Sequence, residues 1–381
     1  MASDMFEHQD LLANLNKAST LSDKLDFIHD ILKTRFDFID RVAIAIYDDK
    51  TDLLKTFIHS SDIGQPLHHY HAKLAESPSL KEMLTIGKPR VINDLDIFNQ
   101  GQHEHTQRIA ASGYHASYTL PMYMDGNFIG FIFYNSRQTH VFDHEVLHYL
   151  DLFGHMVSLL IAQELTAVNT LFSTLQAARH ISNFRDQETG SHLERMSHYS
   201  LLIANHVAKK FQLSDEYIEH IFLFSPMHDI GKIGIPDAIL KKPDKLTEDE
   251  FTIMKEHATK GREIIDIIMK DAHLDAFPHI QILRNITEFH HESFNGAGYP
   301  QGLHDTEIPI EARIIAVADV FDALTSARPY KERWSNEDAF NMLRKLSGFK
   351  LDPDCVDAML NNLPAIEEIQ ASFSEAPYGY A

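Results

Sequence analysis

Strand-forming patterns in this chain are confined to roughly the first 160 residues. Beyond residue 184 they nearly vanish, leaving helical patterns broken at Gly231–Pro236, Lys241–Leu246, Phe294–Pro309 and Arg328–Trp334. One hydrophobic core does not readily accommodate such a change of pattern, and 381 residues suffice for two or three domains. The expectation is a multidomain chain: an α+β domain at 1–160 with an N-terminal helix, a helical linker at 161–184, and an all-α domain at 185–381.

In the first part a helical pattern over about residues 7–33 precedes the runs VAIAIYD (42–48) and LLKTFIHS (53–60). ASYTLPMY (116–123) and FIGFIFYN (128–135) are joined through Asp125–Gly126, a strong hairpin signal. SPSLKEMLTIG reads as a helix with a serine or proline start and a glycine stop. In size, element order and the PRVINDL segment, residues 20–160 resemble a GAF domain. That resemblance implies a sensory or dimerising module; some such domains bind cyclic nucleotides, haem or other small ligands, and no specific ligand motif stands out in this sequence. His103, His105 and His115 read as metal or haem ligands or, more simply, as loop histidines, because no fixed spacing supports ligation.

From Phe142 to Asn183 the pattern is one long helix, with Leu147, Leu150, Phe153, Val157, Leu160 and Ile161 at helical spacing. Two readings stand side by side: a dimeric connecting helix, or a helix whose first half packs on the sheet. A homodimer is the expected assembly.

The net charge of −21 argues against a duplex-binding surface or a polybasic membrane anchor. It leaves room for an anionic substrate, since bound metal ions reverse the field within a pocket. The single Cys355 excludes an intrachain disulfide. The acidic N-terminus lacks a signal pattern, and no apolar run approaches a membrane span, so a cytoplasmic protein without membrane contact is expected.

Histidine is abundant, at 25 residues, but evenly spread, so spacing must locate a site. Glu188 and His192 lie four apart in RDQETGSHLERM; His228 and Asp229 are adjacent in MHDIGKIGIPD, read as a helix C-terminus closed by Gly231. His257 sits in MKEHATKG, His290 and His291 are adjacent in EFHHESFNGAGYP, and Asp319 lies in ARIIAVADVFDAL, where a carboxylate among apolar residues needs a partner. Neighbouring helical side chains diverge by about 100°, so adjacent donors can serve different ions. Histidine and carboxylate without thiolate suit iron, manganese, zinc or nickel. Two such ions, about 3.5–4 Å apart, suit phosphoryl chemistry.

Residues 185–345 resemble the HD-GYP family, a branch of the HD-domain metal phosphohydrolases. The resemblance rests on HDIGKIGIPDAIL (228–240), HHESFNGAGYP (290–300), IAVADVFDALTSARPYK (315–331) and the opening block RDQETGSHLERM. It implies hydrolysis of cyclic di-GMP to pGpG or GMP by two or three divalent ions, iron or manganese foremost, nickel or zinc otherwise. By the same resemblance His192, His228, Asp229 and Asp319 form the basic metal set. His257, His290 and His291 complete a second ion with Asp229 bridging, and Glu188 stands for a third.

The resemblance also gives Lys232, Arg328 and Lys331 to substrate phosphates and Tyr299 to substrate or to packing of the 294–309 loop, long enough for a lid. Asp186 and Asp322 are expected to orient backbone or ligands. His228, Asp229 and Lys232 are the catalytic candidates. Two alternatives remain: 3′,3′-cyclic GMP–AMP as substrate, and a sensor that binds a cyclic dinucleotide without cleaving it. Control of the enzyme by a ligand of the first domain is a further expectation.

Overall fold

The structure, a computed structural model, describes residues 10–17, 19–62, 69–95, 112–181, 190–271, 279–326 and 333–374. The chain divides into two compact units, Met1–Thr166 and Ala167–Ala381.

The first unit is built on a six-stranded antiparallel sheet in the order β3-β2-β1-β6-β5-β4. Its strands are β1 (Arg41–Asp48), β2 (Leu53–Ser61), β3 (His71–Lys73), β4 (Arg90–Ile92), β5 (Ala116–Met124) and β6 (Asn127–Ser136). Asp125 and Gly126 both take positive φ, 50° and 83°, as a tight hairpin between β5 and β6 requires. Because side chains alternate across a strand, Val42 and Ile44 of β1 face away from Arg41 and Ala43. With Ile132 and Tyr134 of β6 they pack against Leu25 and Ile28 of α1 (Leu21–Arg35) and Leu150 and Val157 of α3 (His144–Ile181). On the opposite face Phe131 meets Leu74 and also Leu80 and Met83 of α2 (Pro78–Ile86).

Three expectations need correction. The helical pattern over 7–33 resolves into a 3-10 turn at Ala13–Asn16 and α1, which starts only at Leu21. The reason is a cap: Thr20 accepts the N–H of Asp23 while the Asp23 carboxylate accepts that of Thr20. Two strands of three residues, β3 and β4, are too short to register as alternation. Third, His144–Leu171 of α3 is long and apolar enough to cross a membrane by length and composition. Its apolar residues are interspersed with polar ones, so no contiguous run announced it. Val146, Leu150, Val157 and Ile161 are buried in the first unit's core.

The second unit is helical: α4 (Gly190–Phe211), α5 (Asp215–Phe224), α6 (Asp237–Leu240), α7 (Glu248–Lys255), α8 (His257–Asp271), α9 (Ile280–Phe289), α10 (Ile310–Thr325), α11 (Asn336–Leu346), α12 (Pro353–Leu360) and α13 (Leu363–Ser372). Among its described residues the β-type pairings are isolated bridges, Asn295 with His304 and Ser347 with Leu351. Met196, Tyr199 and Ile203 of α4, Phe224 of α5, Ile286 of α9 and Phe321 of α10 form one core. Of these helices, α4 also carries His192 and α10 carries Asp319.

Candidate metal centre

His228 and Asp229 do not close a helix. They sit between two 3-10 turns, Ser225–Met227 and Ile230–Gly234. Gly231 is not a left-handed stop. It is required because a Cβ there would lie 1.8 Å from the His257 carbonyl oxygen and 2.4 Å from the Gly261 nitrogen. That close approach seats the His228–Asp229 turn on the first turn of α8, where His257 begins the helix.

Two groups of ligand-type side chains result. Asp229, His257, His290 and His291 form one, and His192, His228 and Asp319 the other; within each, one donor atom per residue lies within 4.8 Å of the rest. Asp229 faces both ways. Its Oδ1 is 3.2 Å from His257 Nε2 and 3.6 Å from His290 Nε2, and its Oδ2 is 3.3 Å from His228 Nε2 and 2.7 Å from Lys232 Nζ.

The imidazoles are pre-set. His228 Nδ1 donates to the Ser225 carbonyl at 2.9 Å, His257 Nδ1 to Met254 at 2.7 Å and His290 Nδ1 to Ile286 at 2.9 Å. A carbonyl only accepts, so the proton sits on Nδ1 and the Nε2 lone pair turns inward. His192 is held likewise, its Nδ1 2.7 Å from Asp322 Oδ2. Nε2 of His257, Nε2 of His290 and Oδ1 of Asp229 are buried without a hydrogen-bond partner. Buried acceptors crowded against one another in this way fit a shared cation.

Charge follows the same logic. Burial alone would raise the Asp229 carboxyl, but Lys232, His228 and His257 outweigh it and hold the group well below its ordinary value. Burial lowers His290 and, with its histidine neighbours, lowers His291 strongly. Neutral imidazoles beside an ionised carboxylate are what metal ligation requires.

Lys232 is paired with Asp229, so its charge lies at the carboxylate itself. The Tyr299 ring lies 4.9 Å from that of His291, beneath Lys255 Nζ at 5.5 Å. The 294–309 loop is fastened rather than free: Phe294 and Asn295 donate to the carbonyls of Lys350 and Phe349, and Asp305 donates back to Phe294.

Asp322 also binds Arg195, Nε to Oδ1 at 2.6 Å, and Ser326 Oγ at 2.9 Å. Burial opposes its ionisation, yet His192 and Arg195 pull the carboxyl down to about 2. Arg195 was not anticipated; its only sequence signal is its place three residues after His192. Glu188, Asp186, Arg328, Lys331, His103 and His105 lie outside the described residues. His115, at the start of β5, joins neither group.

Residues 176–355 match the HD domain family. The matched stretch includes the Gly298–Tyr299–Pro300 segment. Over 203 residues the chain is 45% identical to the cyclic di-GMP phosphodiesterase response regulator RpfG of Xanthomonas campestris, covering 53% of this chain and 51% of that protein. It is 42% identical to a cyclic di-GMP phosphodiesterase of Thermotoga maritima, covering 50% and 49%, and 36% identical to the 3′3′-cGAMP-specific phosphodiesterase 2 of Vibrio cholerae, covering 50% and 34%.

The chain thus spans about half the length, or less, of these curated relatives. Solved structures similar to it include the phycocyanobilin-bound GAF domain from a cyanobacterial phytochrome, at 15% identity and a TM-score of 0.32, covering 40% of this chain and 90% of that one. Another is the GAF domain from an Acinetobacter phosphoenolpyruvate-protein phosphotransferase, at 16% and 0.33, covering 42% and 92%. The α+β assignment of the first unit rests on its strand order and register, while the stretch that matches the HD domain carries the donor groups.

Proposed function

We propose that this chain is a metal-dependent phosphodiesterase acting on a cyclic dinucleotide, cyclic di-GMP foremost. The observation that carries the reading is Asp229, whose two carboxylate oxygens turn to two different sets of histidines. In this proposal Asp229, His257, His290 and His291 would hold one divalent ion and His192, His228 and Asp319 a second, with Asp229 facing both groups. Iron or manganese suits these donors best, and Glu188 is offered as a ligand for a third ion.

Bound there, such ions supply Lewis acidity toward phosphate oxygens and activate water near neutral pH. The chain's own contribution is orientation and charge. The four Nδ1 hydrogen bonds fix the imidazoles before any ligand arrives, so little reorganisation remains for the reaction. Lys232 is placed to exchange its contact with Asp229 for one with an anionic phosphate oxygen. Tyr299, its ring tilted against that of His291, forms one wall, and Arg328 and Lys331 are proposed to meet the phosphates.

Relatives named as cyclic di-GMP phosphodiesterases are 35–45% identical to this chain, and those named as 3′3′-cGAMP-specific are 30–36%. The ranges overlap, and cyclic di-GMP is preferred because the relatives at 40–45% carry that name. We further propose that residues 1–160 regulate hydrolysis, that 161–184 connect them to the catalytic domain at 185–381, and that the chain acts as a homodimer.

The test uses anaerobically purified, metal-loaded full-length chain with both dinucleotides side by side. Faster hydrolysis of cyclic di-GMP, abolished by replacing His228 and Asp229 together with alanine, is the expected result. Preference for cyclic GMP–AMP would reassign the substrate. Tight binding without turnover in metal-loaded protein would overturn the hydrolytic reading in favour of a sensor.

A further inference from the structure

Three arginines among the described residues are almost wholly buried: Arg195, Arg313 and Arg41. Arg195 faces the buried Asp322 at 2.6 Å, and Arg313 faces the buried Asp352 at 2.6 Å. Arg41, 4% exposed at the start of β1, pairs with no carboxylate among the described residues. Its one hydrogen bond runs from Nη1 to the neutral amide oxygen of Asn135 at 2.8 Å, and its Nε is buried with no partner. Asp40, its neighbour in sequence, is occupied elsewhere, accepting the N–H of Arg137 at 2.7 Å. Burial accordingly draws Arg41 down to about 10, with Tyr114 the sole group opposing it. An unpaired buried guanidinium costs several kcal/mol, on the order of the penalty for any desolvated ion.

The surroundings look like one side of a binding site. Ser61, Arg41, Asn135 and Ser117 are directly opposite one another across β2, β1, β6 and β5, so they share a face of the sheet. Asn135 donates to Ser117 at 3.1 Å, which fixes its oxygen toward Arg41. One row along the same face, Thr119 is fully buried with an unpartnered Oγ1, beside Phe133. Arg90, opposite Thr119 on β4, carries a second buried Nε without a partner and bonds only to Ser79 Oγ.

We propose that Arg41 anchors a binding site in the first unit for the carboxylate of a small organic monoanion. The free edge of a guanidinium is a planar fork that matches two carboxylate oxygens. One negative charge neutralises Arg41, whereas the second charge of a phosphate dianion would find no partner at that guanidinium. Thr119 Oγ1 offers a further hydrogen bond, and Phe133 fits an aliphatic or aromatic body. The assignment stands independently of the hydrolytic reading, because every group in it belongs to the first unit.

The test is saturation-transfer NMR on the full-length chain with acetate and propionate as probes, at ionic strength held with sodium chloride. Wild-type protein should give saturable transfer to the methyl protons, undiminished by equimolar inorganic phosphate. Arg41→Met should abolish it while the circular dichroism spectrum stays native. If Arg41→Met fails to fold, Arg41→Lys, which keeps the charge and loses the fork, should weaken binding at least tenfold. No saturable transfer in wild type, equal transfer in the variants, or displacement by phosphate would each overturn the proposal.

Discussion

His192 Nδ1 donates to Asp322 Oδ2 at 2.7 Å, although the two residues are 130 positions apart. The carboxylate is ionised at any ordinary pH, since it is held at about 2. It therefore fixes the His192 proton on Nδ1 and leaves Nε2 for a ligand. Asp322→Asn presents an amide that can also donate, which removes this constraint and strips Arg195 of its charge partner. We expect metal affinity to fall about 10–100-fold, measured by titration of chelator-treated protein, with a native circular dichroism spectrum. Unchanged affinity would show that the pair serves only packing.

Gly231→Ala is expected to be far more damaging than an ordinary surface glycine replacement. Its Cβ would sit 1.8 Å from a backbone oxygen, and neither the His228–Asp229 turn nor α8 can yield without moving a ligand. Destabilisation of about 1–3 kcal/mol or more is expected for such overpacking, read as a shift in the urea midpoint, together with loss of bound metal. A variant with wild-type stability and metal content would contradict the close contact.

The candidate donors stood out in the sequence through the blocks that resemble the HD-GYP family, and the structure brings seven of them into two groups. What made them a site was not legible. Gly231 looked like a helix stop, since nothing local reveals that α8 passes within van der Waals reach. Arg195 drew no notice, because its partner Asp322 lies on α10. The sheet was read from its four long strands, while β3 and β4 form only because longer neighbours offer them an edge. Arg41 gave no signal at all: a basic residue before an apolar strand is ordinary until its burial is known.

Lys232→Met should separate binding from chemistry. Lys232 is one of the groups that hold the Asp229 carboxyl low, with His228 and His257 doing the rest. Metal content should therefore stay near wild type, while turnover falls by about 10²–10³-fold, the usual cost of one electrostatic stabiliser. Steady-state kinetics with parallel metal analysis distinguishes this from simple loss of the ions.

The metal-free protein should weaken as the solution becomes acidic. His290 and His291 titrate below their ordinary value in the folded state, so below about pH 6.5 the unfolded chain binds protons that the folded chain does not. Stability is thus full above that pH and declines as it falls toward the folded values. The depressed Asp229 carboxyl works in the same direction at still lower pH. Chelator-treated protein should show a lower urea midpoint at about pH 5.5 than at about pH 7.5, and His291→Ala should narrow the gap. Equal midpoints would contradict the burial of neutral imidazoles.

Glu292 binds the loop that carries Tyr299. Its Oε1 accepts the N–H groups of Gln301 at 2.7 Å and Gly302 at 3.1 Å, and the side chain is buried. Burial raises its carboxyl, and those same N–H groups pull against the rise. The loop doubles back so tightly that a Cβ on Gly298 would lie 2.2 Å from the Ser293 nitrogen. Glu292→Ala leaves two backbone donors without an acceptor, a loss of about 1–3 kcal/mol. Hydrogen exchange should accelerate over residues 294–303, and KM should rise because Tyr299 no longer stays against His291. Glu292→Gln keeps a carbonyl acceptor and should recover much of both. If alanine and glutamine behave alike, the clasp does not hold the loop.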